Sequence, residues 1–141
     1  MERRKFIRST CNVCLIGAAG FIAAQLSACS PSSFSIYKAT VKGKKILVPL
    51  NRFEKSPLQI VRPAGLYYDI AVQKQNEGNY EALALLCTHQ QNQLTVTGNG
   101  YTCSLHGSNF DKDGNVTKGP AERPLQQFMT SVSGDNLIIQ I

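Results

Sequence analysis

Two short motifs in the second half of the chain each place a cysteine beside a histidine. The first is Cys87-Thr88-His89 and the second is Cys103-Ser104-Leu105-His106, with 13 residues between them. Each motif follows a predicted strand, so two loops can meet at one tip of a β-domain. They would then present two thiolates and two imidazoles to one metal centre, and the chain has no further histidine.

This ligand set leaves two kinds of metal centre open. Tetrahedral zinc can take two cysteines and two histidines, but zinc fingers usually group the cysteines in one loop and the histidines in another. Here each loop contributes one of each. That arrangement suits a dinuclear site with two distinct irons, one held by two thiolates and the other by two imidazoles. A structural zinc domain is the alternative.

The residues that follow the second motif resemble those of the Rieske [2Fe-2S] family. The run from His106 to Asp111, HGSNFD, is similar to the stretch that closes the second cluster loop of that family. Gly119-Pro120-Ala121 is similar to the proline loop that covers the cluster. The resemblance extends from Cys87 to about Leu125 and implies one Rieske-type [2Fe-2S] cluster as the cofactor.

The same resemblance implies a role for each of five cofactor-binding residues. Cys87 and Cys103 would bind the buried iron, whereas His89 and His106 would bind the outer iron. Ser108 would donate a hydrogen bond toward a cluster sulfur. All five are binding residues, and no catalytic residue is predicted.

Three positions depart from the quinol-oxidising branch of the family. That branch carries an extra cysteine in each loop, which together form a disulfide, but Asn92 and Leu105 occupy those positions here. It also carries a tyrosine that donates toward a ligand sulfur, where this chain has Phe110. The loops are therefore more similar to those of Rieske ferredoxins and oxygenase-type centres, and we expect a potential below that of the quinol-oxidising branch.

Short runs of β-branched and aromatic residues fill the chain from Ile36 onward, and no long 3.6-residue period appears. This pattern predicts an all-β fold, namely a Rieske-type antiparallel sandwich or barrel with a cluster-binding subdomain of two loops at one tip. The predicted strands are Ile36 to Val41, Lys45 to Leu50, Leu66 to Val72, Tyr80 to Leu86, Gln93 to Thr97, Tyr101 to Cys103, Gln127 to Val132 and Leu137 to Ile141. The predicted turns are Gly43, Gly98-Asn99-Gly100, Asp113-Gly114-Asn115 and Gly134-Asp135-Asn136.

The first 29 residues have the pattern of an export signal. A head containing Arg3-Arg4 resembles the twin-arginine signal, and an uncharged run from Cys11 to Ala28 follows it. Leu26-Ser27-Ala28-Cys29 resembles a lipobox, in which Cys29 is lipidated and becomes the mature N-terminus. An uncleaved membrane anchor is the alternative, because the 18 uncharged residues nearly reach the roughly 20 that span a bilayer.

The predicted organisation is a signal or anchor over residues 1–29, a tether over 30–35 and a Rieske domain over 36–141. The twin-arginine route carries folded proteins, so the cluster would be inserted before export. The domain is then expected to be periplasmic or otherwise extracytoplasmic, and attached to a membrane by its N-terminal lipid or anchor.

The charge balance argues against a nucleic-acid partner. The formal net charge is +6, but four of the 15 basic residues lie among the first eight positions. The rest form no basic run interleaved with aromatic residues. Lys38, Lys42, Lys44 and Lys45 are interpreted as protection of edge strands, with a docking patch for an acidic partner as the alternative.

The sequence predicts a membrane-tethered one-electron transfer protein whose redox partner is a haem or copper protein. The alternative is a small Rieske subunit of a larger oxidoreductase, such as a molybdenum enzyme resembling arsenite oxidase or a quinol-oxidising complex. An oxygenase needs a mononuclear iron held by two histidines and a carboxylate, and both histidines are already used. The chain alone is therefore predicted not to be an enzyme.

Overall fold

The structure, a computed structural model, describes residues 34–141. The predicted signal, the lipidation site at Cys29 and the first part of the tether lie outside the described residues. No helix within residues 34–141 is long and apolar enough to cross a membrane.

Short strands joined by turns make up nearly all of the regular structure in the described residues. One short 3-10 helix, Leu50–Glu54, contributes the buried Phe53. The strands are β1 (Ile36–Ala39), β2 (Val41–Lys42), β3 (Lys45–Pro49), β4 (Leu58–Pro63), β5 (Ile70–Asn76), β6 (Asn79–Ala84), β7 (Thr95–Thr97), β8 (Gly100–Thr102), β9 (Asn109–Phe110), β10 (Val116–Lys118), β11 (Gln127–Ser133) and β12 (Asn136–Gln140).

The larger of two sheets has eight strands in the order β1-β4-β5-β6-β11-β12-β3-β2. Its neighbours are antiparallel except β1 and β4, which run parallel with Ile36 opposite Ile60 and Ala39 opposite Pro63. Inward and outward residues alternate along its strands. Ile46 and Val48 of β3 and Leu137 and Ile139 of β12 are fully buried for this reason, and they form part of the larger core.

The smaller sheet has four strands in the order β10-β9-β8-β7. Its core includes Tyr101 and Phe110 from the smaller sheet and Leu83 from β6 of the larger sheet. Cys87 and Cys103 belong to this same core. The two sheets therefore share a second, smaller core, and the predicted ligand loops are built on it.

The all-β prediction and all four predicted turns are confirmed by this architecture. The parallel pair β1 and β4 is an exception to the antiparallel expectation. The predicted strand Leu66 to Val72 was wrong in its first half, because residues 66–69 form a bend and β5 begins at Ile70. Strand β4 was not predicted, since Pro57 and Pro63 bound its short apolar run.

The predicted edge protection agrees with the strand order for Lys38 and Lys42, whereas Lys44 lies in a turn and Lys45 lies on β3, which is not an edge strand. Strands β1 and β2 lie at the two edges of the larger sheet. Lys38 is exposed on β1 and Lys42 is exposed on β2. Charged side chains on edge strands hinder pairing with another chain.

Candidate metal centre

The first loop, residues 87–92, begins three residues after β6 ends. An isolated bridge between Leu86 and Gln93 closes its base. Inside the loop, the Cys87 amide donates to the Asn92 carbonyl at 2.8 Å, and the Gln91 amide donates to the Cys87 carbonyl at 2.8 Å. These bonds fix the backbone around Cys87.

The second loop, residues 103–108, connects β8 to β9. The Cys103 amide donates to the Ser108 carbonyl at 2.8 Å, and the Gly107 amide donates to the Cys103 carbonyl at 3.0 Å. Gly107 has a φ of 78°, which a side chain would strain. The glycine after His106 therefore lets the chain turn back within six residues.

The four predicted ligands divide into a buried pair and an exposed pair. Cys87 is 1% exposed and Cys103 is 2% exposed. His89 and His106 are exposed, with ring centroids 5.0 Å apart and ring planes at 80° to each other. The two loops thus bring the thiols together on the core side and the imidazoles together on the solvent side.

The proline loop, residues 119–125, is fastened to both ligand loops. The Ala121 amide donates to the hydroxyl oxygen of Ser108 at 3.0 Å, and Ser108 is fully buried. The Thr88 hydroxyl donates to the Arg123 carbonyl at 2.7 Å. Because the Ser108 oxygen accepts this hydrogen bond, its own hydrogen is free to be donated elsewhere, and the bond toward a cluster sulfur stays a prediction.

The sulfur of Cys103 lies among several hydrogen-bond donors. Burial by itself raises the pKa of the Cys103 thiol. Hydrogen bonds from the backbone amides of Leu105 and His106 and from the side chains of Cys87 and Asn92 outweigh it, so this pKa lies below its ordinary value of 9.0. A buried sulfur that readily becomes a thiolate is a suitable metal ligand.

An ion pair and two hydrogen bonds connect the first loop to β4 and to the bend that follows β4. Arg62 forms a bidentate ion pair with Asp69, with both N–O distances 2.8 Å. The Asp69 amide donates to the side-chain oxygen of Gln93 at 3.0 Å. The exposed Tyr67 donates through its hydroxyl to the side-chain oxygen of Gln91 at 3.4 Å. The base of the first loop is thereby tied to the larger sheet.

The donor set fits the cluster that the sequence implies. Among residues 34–141, no group of three or more His, Cys, Asp or Glu is arranged to hold a single metal ion. The predicted ligands form one pair of thiols and one pair of imidazoles, which is the pattern of a [2Fe-2S] centre with two distinct irons. Both cysteines are free rather than disulfide-bonded.

The structure brings all five predicted binding residues to one end of the domain. Two contacts were not predicted from the sequence. Thr88 fastens the first loop to the proline loop, and Asn92 directs its side-chain nitrogen at the Cys103 sulfur from 3.8 Å. The sequence carries a signal for the Asn92 contact, because it places an amide donor where the quinol-oxidising branch carries a cysteine.

Comparison with known proteins gives the same kind of site. A model of the Rieske [2Fe-2S] domain matches residues 37–129. The iron-sulfur subunit of the cytochrome b6-f complex from Chlorobaculum thiosulfatiphilum is 31% identical over 64 residues, which cover 44% of this chain and 35% of that protein. Subunit 1 of that type from Synechocystis is 31% identical over 67 residues, covering 45% of this chain and 38% of that protein. The matched segment spans about a third of the length of these relatives.

Two solved structures share the fold. The cyanobacterial plasma membrane Rieske protein from Synechocystis PCC 6803 has a TM-score of 0.54 and 26% sequence identity, over 66% of this chain and 95% of that chain. A chain from the complex of reduced oxygenase and oxidized ferredoxin in carbazole 1,9a-dioxygenase has a TM-score of 0.51 and 20% identity, over 70% of this chain and 94% of that chain. The second likeness concerns the fold alone.

Proposed function

The chain belongs to the Rieske [2Fe-2S] domain family, and from that premise we propose that it is a one-electron carrier tethered to a membrane outside the cytoplasm. Members of this family bind one [2Fe-2S] cluster and transfer electrons. Family membership therefore favours a [2Fe-2S] cluster over the structural zinc ion considered as the alternative. The proposal adds the tether, the compartment and the kind of partner. It assigns the chain no catalysis of its own.

The separation of buried thiols from exposed imidazoles is the observation that carries the proposed electron transfer. When bound, a Rieske cluster supplies a one-electron couple in the range of about −150 to +300 mV. Cys87 and Cys103 would hold it from the core side, where both are buried. His89 and His106 would hold it from the solvent side, where a partner can approach.

The N-terminal sequence supports the tether and the compartment. The twin-arginine head and the lipobox ending at Cys29 together favour export followed by lipid attachment. Six residues separate Cys29 from Ile36, where β1 begins. An extended chain spans at most about 3.5 Å per residue, so the domain would stay within about 25 Å of the lipid.

The direction of β1 supports a partner that approaches from the aqueous side. Strand β1 runs parallel to β4, and Ile36 lies opposite Ile60, three residues before β4 ends at Pro63. The bend after Pro63 contacts the first ligand loop through Tyr67 and Gln91. The chain thus enters the domain at the end farther from the imidazoles. The proposed partner, a haem or copper protein, would then approach the imidazoles from the side opposite the tether.

A second candidate is an electron-transfer subunit of a larger oxidoreductase. The reported relatives are named as subunits of the cytochrome b6-f complex, which favours this candidate. Affinity purification of the full-length chain in mild detergent separates the two. A large catalytic or quinol-oxidising chain recovered in equal amount would establish the subunit, whereas recovery of the chain alone supports the carrier.

The ligand assignment is tested by spectroscopy of the full-length protein in detergent. The dithionite-reduced protein should give a rhombic EPR signal with an average g value lower than that of all-cysteine [2Fe-2S] centres. His106→Cys should alter or abolish this signal. Ser104→Cys adds a thiol to the same loop without removing a ligand and should leave the signal unchanged. An unaltered signal in His106→Cys would exclude His106 as a ligand.

The tether is tested by substitution of the lipobox cysteine. Cys29→Ser should abolish lipid attachment, which mass spectrometry and metabolic labelling with a fatty acid measure. Cys14→Ser, a matched change within the uncharged run, should leave attachment intact. Equal labelling of the two variants would contradict lipidation at Cys29.

A further inference from the structure

The side chain of Asn92 links the two ligand loops. It sits at the end of the first loop, where its backbone carbonyl accepts a hydrogen bond from the Cys87 amide at 2.8 Å. Its side-chain nitrogen Nδ2 donates to the Gln93 carbonyl at 3.1 Å. The same nitrogen lies 3.8 Å from the sulfur of Cys103, within hydrogen-bonding distance for sulfur.

We infer that Asn92 is a positioning residue that tunes the reduction potential of the cluster through an N–H to sulfur hydrogen bond with Cys103. This role rests on the proposed function, because it takes Cys103 as a cluster ligand. Nothing in the resemblance assigns such a role to this position.

The orientation of the Asn92 amide is fixed by its neighbour. A backbone carbonyl can only accept a hydrogen bond, so the end of the amide that faces the Gln93 carbonyl is the nitrogen. That nitrogen carries two hydrogens. One is used by the Gln93 carbonyl and the other is directed at Cys103, so the donor is held in place rather than free to rotate.

The effect on the potential follows from the charge on the sulfur. A hydrogen-bond donor stabilises a thiolate more when the thiolate carries more negative charge. A cluster that has gained an electron places more charge on its ligands. The Asn92 amide therefore favours the reduced state and raises the potential.

Replacement by leucine tests this effect, because leucine has a similar size and no donor. The reduction potential of the loaded full-length protein is measured by voltammetry, and the iron–sulfur stretching bands by resonance Raman spectroscopy. Asn92→Leu should shift the electron equilibrium about fivefold toward the oxidised state, which is about 40 mV for one electron. The iron–thiolate bands should move as well.

Gln90→Leu provides the matched control. Gln90 is an exposed amide in the same loop, so its replacement changes the loop's polarity without touching Cys103. We expect the wild-type potential and the wild-type Raman bands from this variant. A potential in Asn92→Leu equal to that of Gln90→Leu would overturn the inference.

Asn92→Ala is the second variant, in case leucine is too bulky for the loop to assemble. The same fall in potential is expected from it. If neither variant takes up a cluster, Asn92 is a structural residue of the loop and the tuning role is wrong. Failure of the proposed function looks different, because the wild-type protein itself would then lack iron, sulfide and the Rieske EPR signal.

Discussion

The hydroxyl of Ser108 lies fully buried between the second ligand loop and the proline loop. Its oxygen accepts from the Ala121 amide at 3.0 Å, and we expect its hydrogen to be donated to a cluster sulfur. Ser108→Ala should therefore lower the reduction potential by about 60 mV, which corresponds to the loss of about 1.4 kcal/mol of preference for the reduced state. Voltammetry of the loaded protein measures this shift.

The control for this prediction lies in the same loop. Ser104 is exposed and precedes the histidine ligand. Ser104→Ala should keep the wild-type potential. If the two alanine variants have the same potential, Ser108 does not act on the cluster.

Glu81 on β6 makes the stability of the domain depend on pH. Partial burial raises the pKa of Glu81 above its ordinary value of 4.5; a hydrogen bond from Gln75 opposes this shift, and the charges of Asp113 and Asp111 add to it. A raised pKa means that the folded state binds the proton of Glu81 more tightly than the unfolded chain does. Protonation therefore stabilises the folded state at acid pH, and this stabilisation is lost as pH rises through the folded pKa. The ionised form of Glu81, present at neutral pH, thus favours folding less than the protonated form does.

Glu81→Gln should accordingly raise the thermal unfolding midpoint at pH 7 by about 1–2 °C. The difference from wild type should vanish below pH 4.5, where the carboxyl of the unfolded chain is protonated. Glu77→Gln, in the exposed turn between β5 and β6, is the control. It should leave the thermal unfolding midpoint unchanged both at pH 7 and at acid pH. A gain that persists unchanged at acid pH would refute the assignment to charge.

At single residues, the sequence predicts most where residue type and spacing carry the chemistry. Two cysteines and two histidines in paired motifs predict a metal centre, and the resemblance of the neighbouring residues to the Rieske family predicts the two-iron kind. The contacts of Asn92 and Thr88 were not predicted, because they join residues 11 and 35 positions apart. Such contacts depend on where separate loops meet, which local patterns do not determine.

Gly100 opens β8 at a point where the backbone of the next strand passes close by. A Cβ atom at Gly100 would collide with the Phe110 carbonyl oxygen and would lie 2.9 Å from the Asp111 Cα. Its φ of 148° also disfavours a side chain. Gly100→Ala should destabilise the protein by about 2 kcal/mol or more, because the backbone of a packed strand must shift.

Gly98 lies two residues earlier in the same hairpin and offers a matched control. A Cβ atom at Gly98 would meet nothing within 4 Å. Gly98→Ala should change the free energy of unfolding by less than about 0.5 kcal/mol. Chemical denaturation of both variants measures the difference, and equal stabilities would show that the strand can move aside.

Whole strands were predicted where alternation and turn residues agree, as for β3, β11 and β12. Leu66 to Tyr68 has the composition of a strand but forms a bend, in which Tyr67 contacts Gln91 of the first ligand loop. The parallel pairing of β1 with β4 was also missed. Pairing partners far apart in the chain are decided by packing of the whole sheet rather than by either strand's sequence.

At the scale of the molecule, the domain has two hydrophobic cores, and we expect only the smaller one to depend on the cluster. The larger core lies against the eight-stranded sheet and contains no ligand. The smaller core contains both cysteines, so removal of the cluster should loosen it. We expect amide hydrogen exchange in β7–β10 to accelerate at least tenfold, or by about 1.4 kcal/mol of opening free energy.

The strands of the larger core serve as the internal reference. Exchange in β3 and β12 should be nearly unchanged when the cluster is removed by a chelator under reducing conditions. Mass spectrometry of peptides from both regions measures this. Uniform loss of protection across the domain would show that the two cores unfold as one unit.

The two cysteines are packing residues of the smaller core as well as predicted ligands. A molecule without its cluster would therefore have an incompletely packed smaller core. Apolar side chains such as Leu94 and Leu125, which are buried in that core, are the ones that loosening would expose. Exposed apolar surface is what cellular machinery uses to recognise an incompletely folded protein. Under the proposed export in the folded state, cluster loading would then serve as a proofreading step that holds back empty molecules.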